Sequence, residues 1–163
     1  MTDTATASTD DLRRWLNAGC DIADSHFHRA AIGLLDFADL LDRRDIRAHI
    51  VTEMATDTND VDHRVACVNW HDLATDDGLV LHGGAYRLLR LAVSIAHGTP
   101  VNLRDALSGL GDAHARAVLA AVAGALDVAE DVEIADTPAY RERKRANDDA
   151  IAAVLARRGV ELT

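Results

Sequence analysis

One stretch constrains this chain more than any other: AYRLLRLAVSIAH, residues 85–97. It is apolar nearly all round. Its polar side chains, Arg87, Arg90, Ser94 and His97, are spaced 3, 4 and 3 apart, which on a helix draws one narrow stripe. A helix polar on a single stripe needs the rest of its surface covered by other elements. Gly98 stops it and Pro100 stands just beyond, because glycine takes the left-handed C′ conformation and proline cannot continue a helix. The spacing predicts a central helix with Leu88, Leu91, Ala92 and Ile95 buried.

The cover is expected to be helical too. Hydrophobic residues make up 48% of the chain but aromatics only 4%, and alanine and leucine favour helix over strand. Thr9 is placed as an N-cap, followed by Asp10 and Asp11, opening a short helix through Leu12, Trp15 and Leu16 that stops near Gly19. Phe27, Ala31, Leu34, Ala38 and Leu41 alternate spacings of four and three, which predicts one long helix from Asp21 to near Asp42. Residues 44–55 fit a further helix, although HIVTEM also reads as strand. RVACVNW (64–70) is strand-like, and Val61, Val65 and Val68 fit a helix as well, so a short β-hairpin around 64–82 stays open. Asn102 caps LRDALSG, GLG turns, and Asp112 caps a helix expected to send Val118, Leu119, Val122, Ala125 and Leu126 to the core.

Residues 127–136 hold five acidic groups and read as a connector, and Thr137-Pro138 is a cap followed by an N1 proline opening a final helix over 138–158. The fold class expected is therefore mainly all-α: a compact multi-helix domain of about five to seven helices with a C-terminal helical arm. Residues 1–8 form a disordered tail, 9–126 the core domain, 127–136 the acidic connector and 137–163 the C-terminal helix.

The segment GGAYRLLRLAVSIAHGTPVNLRDALSGLGDAHARAVLAAVAGAL, from Gly83, resembles one in small uncharacterised actinobacterial or actinophage proteins. There a glycine- or serine-led helix precedes a VxLxDALxGL turn and an Ala/Val-rich helix. The resemblance implies a bacterial or phage cytoplasmic protein and carries no activity with it.

Charge excludes some functions. With 27 acidic against 17 basic residues the net charge is −10, the wrong sign for a chain that releases counterions from nucleic-acid phosphates or settles on an anionic membrane. Cys20 and Cys67 are too few for a disulfide framework. MTDTATAS lacks the basic-then-apolar order of a signal peptide, and no apolar run approaches the roughly 20 residues of a membrane span. Cytoplasm is the expected location, with no membrane partner and no nucleic acid.

Several constellations remain as candidates for chemistry. DSHFH (24–28) has the DxHxH spacing of amidohydrolase metal sites, but on a helix His26 and His28 stand roughly 200° apart. Asp24 and His28, at i and i+4, would share a face with Cys20 one turn earlier. That set suits zinc or another divalent metal if His63, His71 or His114 on a facing helix joined it. His71-Asp72 matches the doublet of helical metal phosphohydrolases, or simply lies at the start of a helix opened by Asn69 or Trp70. Arg87, Arg90, Ser94 and His97 form a stripe able to grip a carboxylate or phosphate. Ala and Val on the second helix of 102–126 do not suit a DNA groove. In the last helix the basic run Arg141, Arg143, Lys144 and Arg145 precedes an apolar face with Ile151 and Leu155, the build of a partner-binding arm. The expected function is a non-catalytic binding, regulatory or accessory protein acting through protein–protein contacts, with another protein or itself as partner in a dimer and no cofactor. The alternative is a small metal-dependent hydrolase using His and Asp on facing helices.

Overall fold

The central helix forms where its spacing places it. In the computed structural model, which describes residues 4–56 and 58–157, α5 runs Gly83–His97 and buries Leu88, Leu89, Leu91, Ala92 and Val93, with Ile95 partly buried against the same core. Gly98 closes it at φ 75°, its N–H donating to the Ser94 carbonyl. The other elements are α1 (Thr9–Ala23), α2 (His26–Phe37), a 3₁₀ turn (Leu40–Asp42), α3 (Arg44–Arg47), β1 (Ile50–Thr56), β2 (Asp62–Val68), α4 (Trp70–Thr75), α6 (Leu103–Leu107), α7 (Asp112–Ala125) and α8 (Pro138–Arg157). The fold is mainly helical with one two-stranded antiparallel sheet. Among the described residues it has eight α-helices rather than about five to seven, since α3, α4 and α6 are single short turns.

Packing explains the order of layers. α2 lies between α5 and α7, burying Ala30, Ala31, Leu34 and Leu35, while α1 lies on β2 with Leu12, Leu16 and Cys20 facing inward. The chain divides into two compact units, residues 1–132 and 133–163. The first holds α1–α7 and the sheet; the second holds α8, begun by Thr137, whose Oγ1 accepts the Tyr140 N–H at 3.2 Å. Residues 158–163, part of the expected C-terminal element, lie outside the described residues. Among the described helices none is long and apolar enough to cross a membrane.

Four expectations are corrected. The long helix over 21–42 is two helices. Asp24 takes the left-handed conformation at φ 46°, with Asp24 N–H donating to Asp21 and Ser25 N–H to Cys20, a Schellman ending in which aspartate stands where glycine is usual. Ser25 then caps α2 by accepting the His28 N–H, and Phe27, in the first turn, is exposed. Second, α1 does not stop at Gly19. A Cβ there would lie 2.5 Å from the Ala66 carbonyl oxygen, so this glycine serves helix–strand approach, not termination. Its cap is Ser8, not Thr9, through the Asp11 N–H.

Third, the hairpin forms but spans 50–68, so its second strand holds RVACV while its first lies upstream of 64–82. β1 pairs with β2 from Ile50 opposite Val68 to Thr56 opposite Asp62, so HIVTEM is mostly strand, and Asn69 caps α4 with Asp72 in its first turn. Fourth, part of the N-terminal tail is held down. The buried Arg47 guanidinium donates to the carbonyls of Leu41 (2.6 Å) and Ala7 (2.7 Å) and to Thr9 Oγ1 (2.8 Å), and Ala7 is buried.

Candidate functional site

A largely apolar concavity lies where sequence expected core. α7 turns Val118 and Ala121 inward, but Leu119 is 56% and Val122 45% exposed, and Leu126 is exposed beyond them. From α6, Leu103 is 59% and Leu107 45% exposed. Leu103, Leu107, Leu119 and Val122, with Leu91 and Ile95, line a cleft of about 480 Å³ between α5, α6 and α7 in which no lining residue is charged. The reason is geometric. α7 is apolar on too many sides for one contact with α2 to cover, and α6 is too short to span the remaining face. The sequence signal was present: Leu103, Leu107, Leu110, Leu119 and Val122 are more apolar positions than one buried stripe uses.

The polar stripe of α5 is split. Arg87 and Arg90 line one cavity of about 280 Å³ with Tyr86, Asn102 and Asp105. Arg90 Nη1 donates to Tyr86 Oη at 3.1 Å, and its guanidinium lies 5.9 Å from the Tyr86 ring centroid. Ser94 instead lines the apolar cleft, and His97 lies beside His71 (5.5 Å between centroids), with Nδ1 3.0 Å from Thr99 Oγ1.

The candidate metal ligands do not share one helix face. Asp24 occupies the break after α1 and His28 stacks on Trp70 at 6.2 Å from the first turn of α2. Cys20 is buried in the hydrophobic core, and burial pushes its thiol up to about 11. His114 packs edge-on against Phe37, 5.6 Å away, and His63 sits on the exposed end of β2. Among the described residues no three or more His, Cys, Asp or Glu side chains are grouped to hold a metal ion. The i, i+4 reasoning required one continuous helix, and the ending at Asp24 removes that premise.

One pairing escaped the sequence reading. His49 Nε2 lies 2.8 Å from Asp76 Oδ2, and Asp76 Oδ1 accepts the Gly78 N–H at 2.7 Å. The His49 bond first, then the Gly78 amide, holds the Asp76 carboxyl below its ordinary range. Nearby, Arg43 clasps Asp45 through Nε (3.0 Å) and Nη2 (2.5 Å) and lowers that carboxyl likewise. These residues are 27 apart in sequence in the first pair, and only the return of the chain through the hairpin brings them together.

In α8 none of the described residues is buried: Ile151 and Val154 are about half exposed, and Leu155 is intermediate. Of the basic run, Arg143 lies over the Tyr140 ring at 5.6 Å. Arg141, Lys144 and Arg145 are exposed. No family model, curated protein or solved structure matches this chain.

Proposed function

We propose that this chain is a non-catalytic helical binding protein acting through protein–protein contact, and that the partner at the cleft between α5, α6 and α7 is a second copy of itself. The observation that carries the reading is the joint exposure of Leu103, Leu107, Leu119 and Val122 around that cleft. Single exposed leucines are ordinary on a protein surface, whereas a contiguous patch around a concavity marks a contact site. Charge directs any pairing of two copies to this face. Two chains of net charge −10 repel over most of their surface, and the cleft is lined by no charged residue, so two copies meet there without opposing like charges. Twofold pairing sets a patch against itself, which an uncharged apolar surface tolerates without needing a complement. The exposed strip of α8, with Ile151 and Leu155 beyond Arg141, Arg143, Lys144 and Arg145, is a second surface for protein contact.

Light scattering coupled to size exclusion tests this on the full chain, on Leu107→Lys and Leu119→Lys, and on residues 1–132, with far-UV circular dichroism confirming helix in each. The expected result is a dimer for the full chain and for 1–132, and a monomer for both lysine variants. A monomeric full chain rejects self-association. A dimer unaffected by Leu119→Lys but lost in 1–132 moves the contact to α8.

A further inference from the structure

The cavity that takes up Arg87 and Arg90 shares Val101 with the cleft, but its charged groups do not line the cleft. Arg87 is half-buried and makes no hydrogen bond or ion pair among the described residues; its guanidinium reaches over the α6–α7 turn, with Nη1 3.5 Å from where a Gly109 Cβ would stand. Arg90 is held, among the described residues, by the Tyr86 hydroxyl and ring. Asp105 lines the same cavity from α6 and pairs with neither arginine. Some arginines are neutralised locally, Arg13 with Asp10 and Asp36, Arg14 with Asp11, Arg29 with Asp21, and Arg43 with Asp45, while Arg44, Arg64 and Arg104 have no ion pair among the described residues. Two arginines and one aspartate therefore line one half-open space without pairing with one another.

The start of α5 beside it is also uncapped. Every other described helix has a side-chain cap bond or an acidic residue in its first turn, and α5 has neither. Its positive end therefore adds to the arginines instead of being offset. Val101 and Ala106 supply apolar wall, and a space of about 280 Å³ suits a compact molecule rather than a chain segment.

We infer that this cavity binds a small zwitterion: an oxyanion head, carboxylate or phosphate, clasped by Arg87 and Arg90 with the Tyr86 hydroxyl near it, and an ammonium group facing Asp105. Arginine's planar fork matches either head in a bidentate contact, and the aspartate disfavours a bare anion while favouring one that brings its own cation.

Isothermal titration of the full chain with β-alanine and with O-phosphoethanolamine, which carry the same ammonium arm on different heads, tests the site and separates the two heads. Saturable binding of one or both is expected. Arg87→Met should weaken it about tenfold or more, the scale of one lost charge-assisted contact. Asp105→Asn should weaken both zwitterions yet strengthen inorganic phosphate, which has no cation to lose. Should Arg87→Met fail to fold, the opposite-sign response at Asp105 carries the test. No saturable binding of either zwitterion overturns the inference, as does binding indifferent to Arg87→Met. Tighter zwitterion binding in Asp105→Asn overturns the ammonium assignment and with it the proposal.

Discussion

Gly19 shows how one residue type serves opposite ends. In the middle of a helix glycine is about 0.5–1 kcal/mol worse than alanine, so Gly19→Ala would stabilise α1 if helix propensity decided the outcome. Contact decides it instead, since the added Cβ would stand 2.5 Å from a backbone oxygen of β2, and backbone cannot rotate away as a side chain would. Gly19→Ala is expected to cost about 1–3 kcal/mol, the usual range for overpacking, measured by urea unfolding. An unchanged or raised midpoint would contradict the close approach of α1 to β2. Asp24 and Asp127 make the complementary point. Both sit at positive φ, 46° and 57°, after helix ends, where a reader of sequence looks for glycine. Aspartate tolerates that conformation better than most residues, and nothing in its one-letter context announces it.

At the scale of elements, one acid-dependent pair ties the start of the hairpin to the end of α4, and a second lies within the start of α3. Asp76 is held below its ordinary range by His49, and Asp45 by Arg43. A carboxyl with a lowered folded pKa contributes stability that is fully present above its unfolded pKa, about 3.9, and is lost as pH falls through the lower folded value. Chemical unfolding from pH 7 down to pH 2.5 should therefore show an added loss of stability beginning below about pH 4. Asp76→Asn and Asp45→Asn should each flatten that acid limb, and an unchanged slope in both would remove these pairs from the account. The same elements were read least well from sequence. Ile46, Ile50 and Met54 keep a helical spacing, yet Ile50 and Met54 belong to β1. The spacing of four is shared by one face of a helix and by every second residue of a strand taken twice, so periodicity alone could not separate them.

Within residues 1–132, α5 is the helix on which α2, α4, α6 and α7 pack. Leu91 lies on the inward side of α5, 5% exposed, among Leu88, Ala92 and the partly buried Ile95. Leu91→Ala is expected to cost about 2–5 kcal/mol, read by thermal or urea unfolding, as for other leucines whose cavity cannot collapse. A loss below about 1 kcal/mol would mean that α5 is not the centre of the fold.

The sequence by itself determined α5 and its stop at Gly98, the caps at Asn102 and Thr137, and the predominance of helix, while between Asn69 and Trp70 the structure decided for Asn69. Each depends on neighbours within a turn or two, where propensity, capping and 3.6-residue spacing act directly. Only the tertiary structure decided that Leu119 and Val122 face outward, that Arg87 and Arg90 part from Ser94 and His97, and that His49 meets Asp76. Those outcomes depend on which helix faces find cover, and α7, apolar on several sides, offers more surface than α2 and α5 can bury. What remains uncovered, and which charges remain unmatched beside it, is a property of packing between distant segments, and local spacing carries no record of it.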